Sequence, residues 1–254
     1  MRQITRAVVL VLALTALPSS ASFAEMGLLG VEAPTTAPQA EVAPVEALAP
    51  APAPAEAYVD NPPRSRIDLR RSKLHEWIQA HGIVRRSAWS TEVLYPTDME
   101  YDWDYDTVVI HHSGNYGVND PQKILEMHIN KNGWADIGYH FLIQADGTVY
   151  EGRPLLYKGS HVKDANTHKI GIILMGNFQP HWWNVLGTDP IHAAQETAAE
   201  NLVRALKRFF PTLKRLGGHR DFILDPNDVK RDCPGDNLYR LLPDLREATG
   251  LTGP

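Results

Sequence analysis

The sequence predicts an α/β protein with a central mixed β-sheet flanked by helices. Three observations carry that expectation. Thr107-Val108-Val109-Ile110 and Ile170 to Leu174 are short β-branched, apolar runs of the kind that form buried strands. Stretches with helical apolar spacing alternate with them, most clearly between Asp189 and Phe210. The alternation comes without a glycine-rich phosphate loop and without internal repeats, which points to a mixed sheet rather than a nucleotide-binding one.

Taken in order, globular sequence begins near Ile67. Ile67, Leu69, Leu74, Trp77 and Ile78 recur at helical spacing until Gly82 stops the pattern. The Thr107 to Ile110 strand follows a polar stretch. Asp120-Pro121 supplies a cap and a first-turn proline for a helix that Asn132-Gly133 ends. Tyr139 to Ile143 and Thr148 to Glu151 flank Asp146-Gly147, a hairpin signal. After the Ile170 strand, Asp189-Pro190 opens a helix through Phe210, with Ala194, Ala198, Leu202, Ala205, Leu206 and Phe209 inward. Asn237 to Ala248 forms a last helix.

The N-terminus has a different character. Arg2 and Arg6 precede Ala7 to Leu17, an uncharged, largely apolar run of 11 residues, and Ser22-Phe23-Ala24 follows with small residues where signal peptidase needs them. A membrane span takes ~20 apolar residues, so this run is a cleavable leader over 1–24 rather than an anchor. From Glu25 to Pro63, eight of 39 residues are Pro and ten are Ala, a semi-rigid linker composition. The expected organisation is therefore leader 1–24, linker 25–63 and globular domain 64–254, the last with a lead-in over 64–100 and a core over 101–247. The mature protein is expected outside the cytoplasm, in the periplasm or the medium, as a monomer without stable membrane insertion.

Composition excludes other classes. A net charge of −5 over 254 residues offers no basic face for nucleic acid. One cysteine forbids an intramolecular disulfide, so the chain is not a disulfide scaffold.

That cysteine has companions. Of the eleven histidines, His75, His81, His128, His181 and His192 lie in helical or loop contexts with no donor at a telling spacing. His111 instead ends the Val108-Val109-Ile110 strand, where a side chain can project into a cleft. His219 follows Gly217-Gly218, and Cys233 lies 14 residues further on. Two imidazoles and a thiolate are donors that tetrahedral zinc prefers, with water in the fourth place. A second reading makes Cys233 a nucleophile with His219 as its base. Spacing alone leaves both open, although the second gives His111 no part.

Longer motifs narrow the choice. Val109-Ile110-His111-His112-Ser113, Gly138-Tyr139-His140-Phe141, Asp146-Gly147-Thr148-Val149, Glu151-Gly152-Arg153, Gly159-Ser160-His161, Ile170-Gly171-Ile172, Gly176-Asn177, Gly218-His219-Arg220-Asp221 and Cys233-Pro234-Gly235 follow in that order. The set resembles the zinc-dependent N-acetylmuramoyl-L-alanine amidases of type 2, in their peptidoglycan recognition protein and phage amidase-lysozyme branch. Arg86-Ser87-Ala88-Trp89 is also similar to that branch, and the resemblance covers about Ile83 to Tyr239.

The resemblance implies a zinc site in a surface groove, with one Zn²⁺ per chain on His111, His219 and Cys233. It implies a catalytic role for Tyr139 and for the basic pair Lys230 and Arg231, and a substrate groove lined by His112, His140, His161 and Asn166. The implied activity is hydrolysis of the amide between N-acetylmuramic acid and L-alanine by zinc-activated water, on peptidoglycan or muropeptides. A non-catalytic peptidoglycan-binding recognition protein on the same fold is the alternative, and such members carry serine where Cys233 stands. Two departures are informative. Ile173 takes the place where cytosolic relatives carry a catalytic glutamate, and Pro154-Leu155 replaces a Gly-Trp pair of diaminopimelate-binding members.

Overall fold

The computed structural model describes residues 66–90, 98–115, 119–180, 187–225 and 232–254. The leader and linker expected over 1–63 lie outside the described residues, as do Lys230 and Arg231.

Five strands form one sheet: β1 (Thr107–His112), β2 (Phe141–Ile143), β3 (Val149–Glu151), β4 (Lys169–Leu174) and β5 (Arg215–Gly218), in the order β3-β2-β4-β1-β5. β2, β4, β1 and β5 run parallel, and only the β2–β3 hairpin is antiparallel, which makes the sheet mixed. Asp146 builds the hairpin turn by accepting from Thr148 N at 2.9 Å, and Gly147 takes the left-handed conformation at φ 87°.

Helices cover both faces. α1 (Arg66–Ala80), α4 (Ala193–Phe209) and α6 (Leu242–Thr249) lie on the side where Val108, Ile110, Ile172 and Leu216 pack with Leu74, Leu202, Leu206 and Leu242. α2 (Arg86–Trp89) precedes β1. α3 (Pro121–Glu126) contributes Ile124 and Leu125 to a smaller cluster with Leu142 and Ile173 on the other face. Asp120 caps α3 as expected, its carboxylate accepting from Gln122 N at 2.9 Å. The helix runs on through a π turn, Met127–Lys131.

Three expected boundaries differ. α4 starts at Ala193, because Asp189 accepts instead from Asn177 N at 2.7 Å and so fastens a loop. The last helix is two, α5 (Asp236–Tyr239) and α6. Pro243 separates them, since its ring would collide with a carbonyl one turn earlier and its nitrogen has no proton to donate. Tyr139, expected within a strand, sits two residues before β2.

Candidate metal centre

Pleating puts His111 on the α3 side of the sheet. Val108 and Ile110 pack into the main core, so Val109 and His111 point the opposite way. The β1–β5 register ends with Ile110 opposite Gly218, which sets His111 level with His219 just beyond the strand. Their ring centroids are 4.8 Å apart. The 3₁₀ turn His219–Phe222 is fixed at its start by Asp221, which accepts from Gly218 N at 2.9 Å.

Cys233 reaches the same point from a loop ahead of α5. A Cβ on Gly218 would lie 2.7 Å from Pro234 Cδ, so only glycine lets that loop close on β5. Arg220 ties the loop down. Its backbone N donates to Cys233 O at 3.0 Å, and its guanidinium to Asp232 O at 2.7 Å and to Asp236 at 2.8 Å. As a result His111, His219 and Cys233 are all buried, and one ligand atom from each lies within 4.8 Å of the others. Cys233 Sγ is 3.6 Å from His111 Nδ1. Two nitrogens and a sulfur with no carboxylate among them are a zinc-type donor set.

Tyr139 packs against this cluster, its ring centroid 5.0 Å from that of His111. Burial, and next the charge of Cys233, hold its hydroxyl above the ordinary tyrosine value, so it stays protonated. The residues before it are clamped. Arg153 donates to Ile137 O and Lys158 O, each at 2.8 Å, and to Asp136 O at 3.2 Å, while Arg86 pairs with the Asp136 carboxylate at 2.8 Å. Burial raises the Asp136 carboxyl above its usual range in spite of Arg86. His128, on the π turn, accepts from Gly138 N at 3.1 Å, and its ring lies 5.4 Å from that of Tyr139.

The four expected groove residues divide. His161 and Asn166 border a cleft of about 380 Å³ beside His219, together with Trp134, Ser160 and Lys163. His112 does not, because it alternates with His111 and so faces the main core, where its Nδ1 accepts from Phe178 N at 3.2 Å. His140 has no exposure, and both ring nitrogens are engaged by backbone: Nδ1 accepts from Gly171 N at 3.0 Å, and Nε2 donates to Tyr157 O at 3.0 Å. Burial lowers its pKa to about 4. It is a core histidine. Ile173 stands opposite His111 in the sheet and is buried with Leu142, so β4 places no carboxylate there.

Arg220, Arg153, Asp136 and His128 are the residues that spacing did not single out. Arg220 and Arg153 lie within motifs, and a charged residue between glycine-rich strand ends was the available signal. A second cavity, about 450 Å³ beside α1 and α2, is lined by none of the cluster residues.

Known proteins share this fold. The chain is 37% identical over 140 residues to peptidoglycan-recognition protein SC2 of Drosophila melanogaster, covering 52% of this chain and 68% of that one. It is 34% identical over 123 residues to the N-acetylmuramoyl-L-alanine amidase of Sus scrofa, 48% of this chain but 18% of that longer protein. Among solved structures, the amidase LysC from Clostridium intestinale superposes with a TM-score of 0.53 at 29% identity, covering 66% of this chain and 97% of that one. Bumblebee PGRP-SA does so with 0.54 at 28%, covering 64% and 93%. The profile of the family described as N-acetylmuramoyl-L-alanine amidase matches residues 102–236, and the chain belongs to that family.

Proposed function

We propose that the protein is an exported zinc-dependent amidase that cleaves the bond between N-acetylmuramic acid and L-alanine in peptidoglycan or muropeptides. One observation carries this reading: two imidazoles and a thiolate, from three separate segments, converge within 4.8 Å beside an open cleft. Family membership and the amidases among the relatives support it. When bound, zinc supplies an acidified water and a Lewis acid for the scissile carbonyl.

The chain's own residues supply the rest. Tyr139 keeps its proton and lies in ring contact with His111, so it is the donor for the charge that develops on the carbonyl oxygen. Its hydroxyl can also hand a proton to the leaving amine. Arg153 and the Arg86–Asp136 pair fix the segment that carries it. His161 and Asn166 border the cleft that takes the substrate. The sequence adds Lys230 and Arg231 as a positive charge near Cys233, and the leader and linker over 1–63 as the means of export and of reach.

Metal analysis tests this reading. The wild type is expected to hold close to one zinc per chain, and Cys233→Ala to lose both zinc and hydrolysis. Zinc near one per chain in Cys233→Ala would overturn the ligand assignment.

A further inference from the structure

His161 shares the cleft with the metal cluster, yet its ring is spoken for. It is buried, and Nδ1 lies 3.0 Å from His111 Nε2 while Nε2 lies 3.4 Å from Lys169 O. The two rings meet at 83°, with centroids 4.9 Å apart. The ring is wedged in place. A Cβ on Gly159 would stand 2.4 Å from it and a Cβ on Gly171 2.5 Å, so two glycines make its slot. Asn166 Oδ1 accepts from both His161 N and Val162 N at 2.8 Å and fixes the backbone from which the ring projects.

The direction of each hydrogen bond then follows. A backbone carbonyl has lone pairs and no proton, so Lys169 O can only accept, and His161 Nε2 must carry the hydrogen. A singly protonated ring with its hydrogen on Nε2 has its lone pair on Nδ1. Nδ1 is therefore an acceptor, and His111 Nε2 donates to it. A His111 that donates from Nε2 can ligate a metal only through Nδ1, and Nδ1 is the atom 3.6 Å from Cys233 Sγ.

We infer that His161 is a positioning residue for the metal centre. Through a relay anchored on the Lys169 carbonyl of β4, it sets the tautomer and ring orientation of His111, so that Nδ1 is the atom offered to zinc. The inference rests on the zinc reading above, and it differs from the groove-lining role expected for His161. Partners of this kind typically contribute 10–100-fold to metal affinity.

Two measurements on the full chain test it. The first is the ¹⁵N spectrum of metal-free wild type, in which His111 and His161 are both expected as Nε2–H tautomers. The second is zinc affinity by competition with a chromophoric chelator. His161→Phe is expected to bind zinc about 10–100-fold more weakly. His161→Asn, whose Oδ1 takes the place of Nδ1 as acceptor, is expected within a few-fold of the parent. An Nδ1–H tautomer at His111 overturns the relay. So does a His161→Phe protein with unchanged zinc affinity and only a raised KM, the signature of a substrate contact. If His161→Phe does not fold, the wild-type spectrum decides alone. A wild type that takes up no zinc but shows both tautomers overturns the metal reading and supports the relay.

Discussion

Replacing Tyr139 with phenylalanine removes one oxygen and keeps the ring that packs against His111 and His128. If the hydroxyl stabilises the oxyanion, turnover by Tyr139→Phe falls on the order of 10²-fold or more, while zinc content and melting temperature stay close to the parent. Turnover within a few-fold of the parent would return Tyr139 to the core. His140 yields a prediction of a different kind. Its folded pKa is about 4, below the ordinary value of 6.5, so between these limits the unfolded chain binds the proton that the folded chain refuses. Its contribution to stability is present above that window and is lost as pH falls through it, by up to about 1.4 kcal/mol per pH unit. Denaturant unfolding of the metal-free protein between those limits should show this slope, and His140→Gln should flatten it. At this scale the convergence of His111, His219 and Cys233 was legible, because strand ends and the donor types His, His and Cys are written in the chain. His112 and His140, expected in the groove, lie away from the cleft beside His219. His112 follows His111 along β1, where strand alternation turns the two to opposite faces, whereas His140 is held by the backbone of Gly171 and Tyr157.

At the scale of elements, the metal centre depends on how closely segments approach β1 and β5. Gly171 faces Val109 across the β1–β4 pair and leaves room for the His161 ring. Gly171→Ala puts a Cβ where that ring lies, and overpacking of this kind costs about 1–3 kcal/mol. A lower melting temperature together with weaker zinc binding is the expected result, and a loss of stability with unchanged zinc affinity would detach the slot from the site. Arg220 joins the His219 turn to the Cys233 loop through Cys233 O, Asp232 O and Asp236. Arg220→Met keeps the stem and deletes the guanidinium bonds. Faster reaction of the apo-protein's Cys233 with a thiol reagent, and a lower zinc affinity, are the expected outcomes. Helices were legible where caps and spacing are local, as with Asp120 at α3. They were misplaced where a distant partner intervened: Asp189 has a cap's chemistry, but its carboxylate serves Asn177.

For the whole molecule, sheet order explains what spacing could not. β4 lies between β1 and β2, so Tyr139 reaches His111 from ahead of β2 and not from the neighbouring strand. A pattern of runs and turns gives strand identity, but the order of parallel strands depends on long crossovers that local sequence does not encode. The Ala/Pro composition of residues 25–63 gives that segment little apolar mass to bury. Its deletion is expected to leave hydrolysis of soluble muropeptides and the melting temperature nearly unchanged, and a large drop in melting temperature would show that it belongs to the folded domain. The most direct test of the central claim is the digestion of defined muropeptides, with products identified by mass. A free N-acetylmuramic acid carboxyl and a peptide beginning with L-alanine are expected, abolished by chelator and restored by zinc. Cleavage at another bond, or cleavage indifferent to the chelator, would contradict it.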